Sequence, residues 1–195
     1  LKTAILTIAI SLPVGLFAQS TTTIGNNDGE GNNNAKSFLR ANKHDARFQY
    51  IILASELTTA GLSPGSDISK IEVYVTQLKS NAPYRLVVNM GHTLNGDLDA
   101  DWAVSADLAE VSNSFYTPTL NAWSGPTWTS NFAWDGNQNI VVQFCFDHTD
   151  KQGKQDKMRY HDANGPKIAR YKEGNNLIDV CNLAGSHDKD FRPQF

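Results

Sequence analysis

The chain has no dense run of lysine and arginine, no second long apolar stretch and only two cysteines. Each scarcity removes a class of function. Without a basic stripe nothing is there to neutralise a phosphate backbone, so no nucleic-acid partner is expected. The 17 Lys plus Arg against 20 Asp plus Glu, a net charge of −3, point the same way. The only long apolar run is at the N-terminus, so the rest of the chain is expected to carry no transmembrane span. Catalytic signatures are equally scarce: there is no His-Glu-x-x-His, no Gly-rich phosphate loop and no cysteine in a protease-like setting. A non-catalytic protein is therefore expected.

The N-terminal run has its own logic. Lys2 supplies a positive charge, an apolar stretch follows over residues 4–16, and Leu16-Phe17-Ala18-Gln19 leads into a polar run. That is the order of a secretory signal peptide. Residues 1–19 are read as the leader and 20–195 as a single domain, secreted, at the cell surface or periplasmic. Export changes the reading of Cys145 and Cys181, which form an even pair on an oxidising route. In the run 140–147, alternation puts Val142, Phe144 and Phe146 on one face. Cys145 falls on the more polar face, with Gln143 and Asp147. There a later segment carrying Cys181 can cover it and bond to it, so a Cys145–Cys181 disulfide is expected.

Past the leader the pattern is short strands and turns. Phe48 to Leu53, Ile68 to Val75, Tyr84 to Gly91 and Ile140 to Phe146 read as strands. Thr127-Trp128-Thr129 reads as a further short one. Asp135-Gly136 is a turn signal between strand-like runs, and residues 54–62 read as one short helical turn with a Gly stop. Residues 103–115 are ambiguous and are read as a loop plus a short strand. With no sustained helical period and no internal repeat, the expected fold is all-β, an antiparallel, jelly-roll-like β-sandwich.

One set of residues carries a likeness. It runs from Ile24-Gly25 through Phe48-Gln49-Tyr50, Ala54-Ser55-Glu56-Leu57 and Met90-Gly91-His92-Thr93. It continues through Trp123, Phe132-Ala133-Trp134-Asp135-Gly136 and Cys145-Phe146-Asp147 to Arg192-Pro193. In this order and spacing, residues 24–195 resemble a β-sandwich module of secreted and cell-surface proteins of the Bacteroidetes, often cargo of the type IX secretion system. The resemblance implies adhesion or glycan binding and transfers no enzyme chemistry. No sorting domain follows the closing motif here, so the export route is left open.

Two site readings come from the residues. Asp97, Asp99 and Asp101 place three carboxylates within five residues, which repel one another unless spread in water or bridged by a cation. An EF-hand counted from Asp97 would need Gly and Glu where Trp102 and Leu108 stand. Solvated turn acids are the default, and a calcium ion on Asp97, Asp99 and Asp101 is the alternative carried forward. The aromatics are the second lead. Flat rings stack on sugar faces while nearby polar groups take the hydroxyls, but Trp is also an efficient core filler. Trp123 and Trp134 are read as structural by their motif positions. Trp102, in the acidic loop, and Trp128, beside Gly125-Pro126, are read as the exposed rings, with Asp97 and Asp99 as polar partners. His92 is read as a structural residue hydrogen-bonded at a strand end.

The expected function is a non-catalytic binding module for a glycan or surface protein. A structural subunit that self-associates into a surface array is the alternative, and a carbohydrate-active enzyme is the least favoured reading.

Overall fold

The strand-like runs 48–53 and 140–146 are expected to put one face in a core. In the computed structural model they are neighbours: β2 (Asp45–Ile52) pairs antiparallel with β9 (Asn139–Asp147) over eight residue pairs, from Asp45↔Asp147 to Ile52↔Ile140. The structure describes residues 20–80, 83–98, 102, 108–148, 151, 153–175, 179–183 and 187–195. The expected leader lies outside these residues, as do Asp99 and Asp101.

In chain order the other strands begin with β1 (Gly29–Gly31), β3 (Asp67–Ile68), β4 (Val73–Gln77) and β5 (Tyr84–Thr93). They continue with β6 (Ala109–Tyr116), β7 (Ala122–Ser124), β8 (Phe132–Ala133) and β10 (Lys157–Asp162). The last are β11 (Ala169–Gly174), β12 (His187–Lys189) and β13 (Phe191–Pro193). One short helix, α1 (Ala54–Thr59), follows β2 and ends before Gly61, whose φ of +90° suits a glycine. A six-stranded sheet has the order β12-β11-β2-β9-β5-β6. A five-stranded sheet has the order β1-β10-β4-β7, with β13 also on β10, and β3 pairs with β8 separately. Every strand pairing described is antiparallel. One apolar cluster takes Phe48, Tyr50, Leu86 and Phe144 from the six-stranded sheet and Val73, Val75 and Met158 from the five-stranded one. The chain is an antiparallel β-sandwich with its core between the two large sheets.

The six-stranded sheet is covered on its far face as well. All eight residues of β2 are buried, so Arg47 and Gln49 have no open water, and Gln143 on β9 is buried beside them. They answer one another: Arg47 Nε and Gln49 Nε2 each donate to Gln143 Oε1 at 2.8 Å. Arg47 also donates to the carbonyl of Leu183. Ile51, Val141 and Leu98 form a second apolar cluster, with Leu53 and Leu108 against it. The short helical turn Val180–Asn182 packs over β2 and β9, and the Cys145–Cys181 disulfide ties it down. The cysteine on the polar face is thus bonded to a covering segment, as its position in the alternation implies.

Two local readings are corrected, those of residues 127–129 and of residues 68–75. Residues 127–129 are not a strand. They run beside β6, with Ser112 Oγ donating to the Thr127 carbonyl and Thr129 N to the Val111 carbonyl. The turn at Asp135-Gly136 exists, with Asp135 Oδ1 accepting from the amides of Asn137 and Gln138. It does not join a hairpin, because β8 before it pairs with β3 while β9 after it pairs with β2 and β5. Gly136 has φ +84°, and a Cβ there would lie 2.4 Å from Pro64. The expected strand over 68–75 is also broken into β3 and β4, although Ile71, Val73 and Val75 all reach the core.

Beyond the end of β9, His148 packs edge-on against Phe146 at 5.0 Å and Tyr84 at 5.7 Å. Burial in this aromatic corner, with a smaller push from His44, holds its pKa below 6.5, against the pull of Asp147. The unfolded chain therefore takes up the proton first as pH falls, so stability is lost from about pH 6.5 downward until the folded-state pKa is passed. Melting temperature should drop between pH 7 and pH 5, and His148→Phe, which keeps the ring contacts, should flatten that drop. An unchanged slope in the variant would assign the pH dependence to other groups. The disulfide closes a sequence separation of 36 residues. Replacing both cysteines by alanine should cost about 3 to 4 kcal/mol in denaturant unfolding, and intact mass should show no alkylation of the native protein without reductant.

Candidate functional site

A sandwich leaves its edge strands facing water, and two edges come together through one short connection. β6 ends the six-stranded sheet, β7 ends the five-stranded sheet, and residues 117–121 link them. Along β6, Tyr116 points into the core and Phe115 points out, opposite Arg85 of β5. Along β7, Ser124 points in and Trp123 points out. Phe115 is 74 % exposed and Trp123 36 %. Such solvation of large rings is the informative departure from the usual placement of aromatics.

The connection that sets them there is pinned from within. Tyr116 OH bonds Ser124 Oγ at 2.9 Å, and the same oxygen accepts from the amide of Thr119. Burial raises the Tyr116 phenol far above its ordinary pKa, so it stays protonated as a donor. Asn121 turns the chain with φ +55° and is held to β4 from both sides. Its amide donates to the Val75 carbonyl, and its own carbonyl accepts from Tyr74 OH. Between these supports lies an open groove of about 330 Å³, with Phe115 and Trp123 on its walls. Thr117, Thr119 and Thr127 line it too, as does the Lys70–Glu72 ion pair, 2.6 Å long and partly exposed. Gly125 is required at its base: a Cβ there would lie 2.1 Å from the Ile71 carbonyl oxygen.

The rings singled out in the sequence lie elsewhere. Trp102 is half-buried on the far side of the six-stranded sheet, with the Arg47 guanidinium 4.0 Å and that of Arg170 5.7 Å from its ring centre. Arg170 also bonds the Leu98 carbonyl and pairs with Asp188 at 3.1 Å. Trp102 thus belongs to the cover over β2 and β9. Trp128 is half-buried against the main core, so the two rings do not share a platform. Asp97 is exposed beside the anchored Leu98. The calcium reading needs Asp99 and Asp101, which lie outside the described residues. Trp134 is buried, its indole N–H donating to the Gln138 carbonyl. Trp123, read from its motif position as structural, instead forms the groove wall. The cue available in the sequence was a short Ala-Trp-Ser run flanked by Asn121 and Gly125-Pro126, the mark of an edge strand.

Two further motifs find structural uses. His92 Nε2 accepts from the amide of Asp135 and its ring leans on Phe132 at 4.8 Å, which makes it the strand-end brace the sequence suggests. Gly61-Leu62-Ser63-Pro64-Gly65 spells Gly-x-Ser-x-Gly, but here it leaves helix α1 for an exposed turn. The nucleophile elbow requires the opposite order, strand into helix.

Comparison of the chain with protein-family models, with curated proteins and with solved structures returns no match in any of the three.

If Trp102 is cover rather than platform, Trp102→Ala should lower the denaturant midpoint by an amount equivalent to about 2 kcal/mol. A variant as stable as the parent would remove Trp102 from the cover.

Proposed function

We propose that this chain is a non-catalytic extracellular or envelope binding module that holds a glycan in the groove between β6 and β7. The observation that carries the reading is the pair of solvated rings, Phe115 and Trp123, on one groove with the hydroxyls of Thr117, Thr119 and Thr127. A sugar offers apolar C–H faces and a periphery of hydroxyls. Rings supply a flat surface for the first, and threonine hydroxyls both donate to and accept from the second. The groove is braced by backbone and buried side-chain hydrogen bonds, so little ordering cost falls on binding. A disulfide suits an oxidising compartment, and no helix among the described residues is long and apolar enough to cross a membrane. The likeness to the surface modules of the Bacteroidetes agrees with this reading.

A second reading rests on the same edge. Phe115, Leu120 and Trp123 are all exposed along one connection, an apolar patch that would suit a protein partner or a second copy. Donation of an N-terminal strand to a neighbour is less well supported, because β1 pairs with β10 and Ile24 with Phe195 inside the chain.

A glycan array on the folded domain, run with calcium and again with chelator, tests the first reading. Trp123→Ala and Phe115→Ala should each weaken binding at least tenfold, about 1.4 kcal/mol, with the melting temperature little changed. Loss on Trp102→Ala or Trp128→Ala instead would return the site to those rings. Calcium dependence would assign the ion to Asp97, Asp99 and Asp101. A blank array, with dimers in sedimentation that Phe115→Ser disperses, would establish the assembly role.

A further inference from the structure

Trp123 lies at the junction of the groove and the outer face of the five-stranded sheet, and that face carries a row of side chains across four strands. Glu30 on β1 is the register partner of Arg159 on β10. The Met158↔Val75 pair sets Arg159 across from Tyr74 on β4, and Tyr74 is the partner of Trp123 on β7. Paired residues share a face. The Tyr74 and Trp123 rings meet edge to face at 5.8 Å, and the Arg159 guanidinium lies 3.7 Å from the Tyr74 ring centre. Tyr74 is fixed from its other end by its hydroxyl bond to the Asn121 carbonyl.

Arg159 is the unusual member of the row. A guanidinium carries five N–H donors in a planar fork. Among the described residues no carboxylate lies in ion-pair reach of this one, Glu30 included, and no side-chain hydrogen bond engages it. It lies over the Tyr74 ring and makes no ion pair with its acidic register partner. The result is a flat, positively charged fork held in place by a ring, two strands from an exposed indole. Neighbouring strands stand about 4.8 Å apart, so the fork and the indole are separated by roughly 10 Å. The stacking already fixes the plane of the guanidinium, so less rotamer freedom is lost when an anion docks on its edge. The cation and the indole are thus presented together to one ligand.

We propose that the sugar bound here is anionic, with its carboxylate or sulfate on the Arg159 fork and a neighbouring ring on Trp123. This rests on the glycan reading above and names its substrate class. A charge-assisted bidentate pair is about twice as strong as a neutral hydrogen bond and fixes orientation as well, so the anion selects the ligand while the ring supplies contact area.

The test is titration calorimetry of the folded domain with a neutral gluco-oligosaccharide, an oligogalacturonate and a sulfated galactan oligosaccharide. The parent should bind one of the anionic ligands at least tenfold more tightly than the neutral one, the carboxylate and sulfate arms identifying which. That preference should shrink as salt rises. Arg159→Gln should lose the preference. Arg159→Lys, which keeps the charge without the fork, should recover only part of it. Trp123→Ala should weaken all binding. Neutral binding that depends on Trp123 but ignores Arg159 would overturn the anionic class and leave the glycan site standing. No binding to any of the three, with the fold intact by circular dichroism, would overturn both.

Discussion

A strand pair buried on both faces cannot leave its polar side chains unanswered, and the β2–β9 ladder is such a pair. Its inner face supplies Phe48, Tyr50, Phe144 and Phe146 to the core. Its outer face carries Arg47, Gln49 and Gln143, which without partners would each cost on the order of 1–3 kcal/mol in desolvation. The structure satisfies them with one another and with the Leu183 carbonyl. Trp102 lies on the Arg47 guanidinium and the disulfide holds the covering turn in place. The far layer of the molecule follows from the need to bury that ladder without orphaning its polar groups.

The five-stranded sheet follows a different rule. Its inner face supplies Val73, Val75 and Met158 to the core. Its outer face holds Arg159, Tyr74 and Trp123, none of them fully buried. The same residue types therefore meet opposite fates on the two sheets. An arginine on a tryptophan is a structural cover over the first, whereas an arginine on a tyrosine beside a tryptophan is an accessible surface on the second. What separates them is whether another segment of the chain lies on top. The groove at Phe115 and Trp123 lies where the β6–β7 connection runs between two sheet edges, braced by Tyr116, Ser124 and β4.

Much of the architecture could be read from the residues because β alternation is a local property. The inward faces of β2, β4 and β9 and the outward position of Cys145 need only a period of two. The connection at residues 54–62 and the Asp135-Gly136 turn need only local chemistry. The misplacements involve partners distant in sequence. Residues 127–129 have strand-like composition but lie along β6 through only a few hydrogen bonds, and the run 68–75 is divided between β3, which pairs with β8, and β4, which pairs with β10 and β7. Trp102 has the surroundings of an exposed loop ring, yet two arginines from β2 and β11 close over it. Trp123 sits in a run of three residues, too short for any period to show which way it points.

From the sequence alone, this protein was determined to be an all-β chain with one face of each long strand in a core. Its two cysteines were placed where they could bond. These properties follow from composition and from the period of the backbone, which each segment carries within itself. The tertiary structure alone decided which aromatic rings face water. Exposure depends on which segment covers which face, and that is set by contacts between residues as distant as Arg47 and Leu183 or Tyr74 and Arg159. No local pattern encodes such contacts.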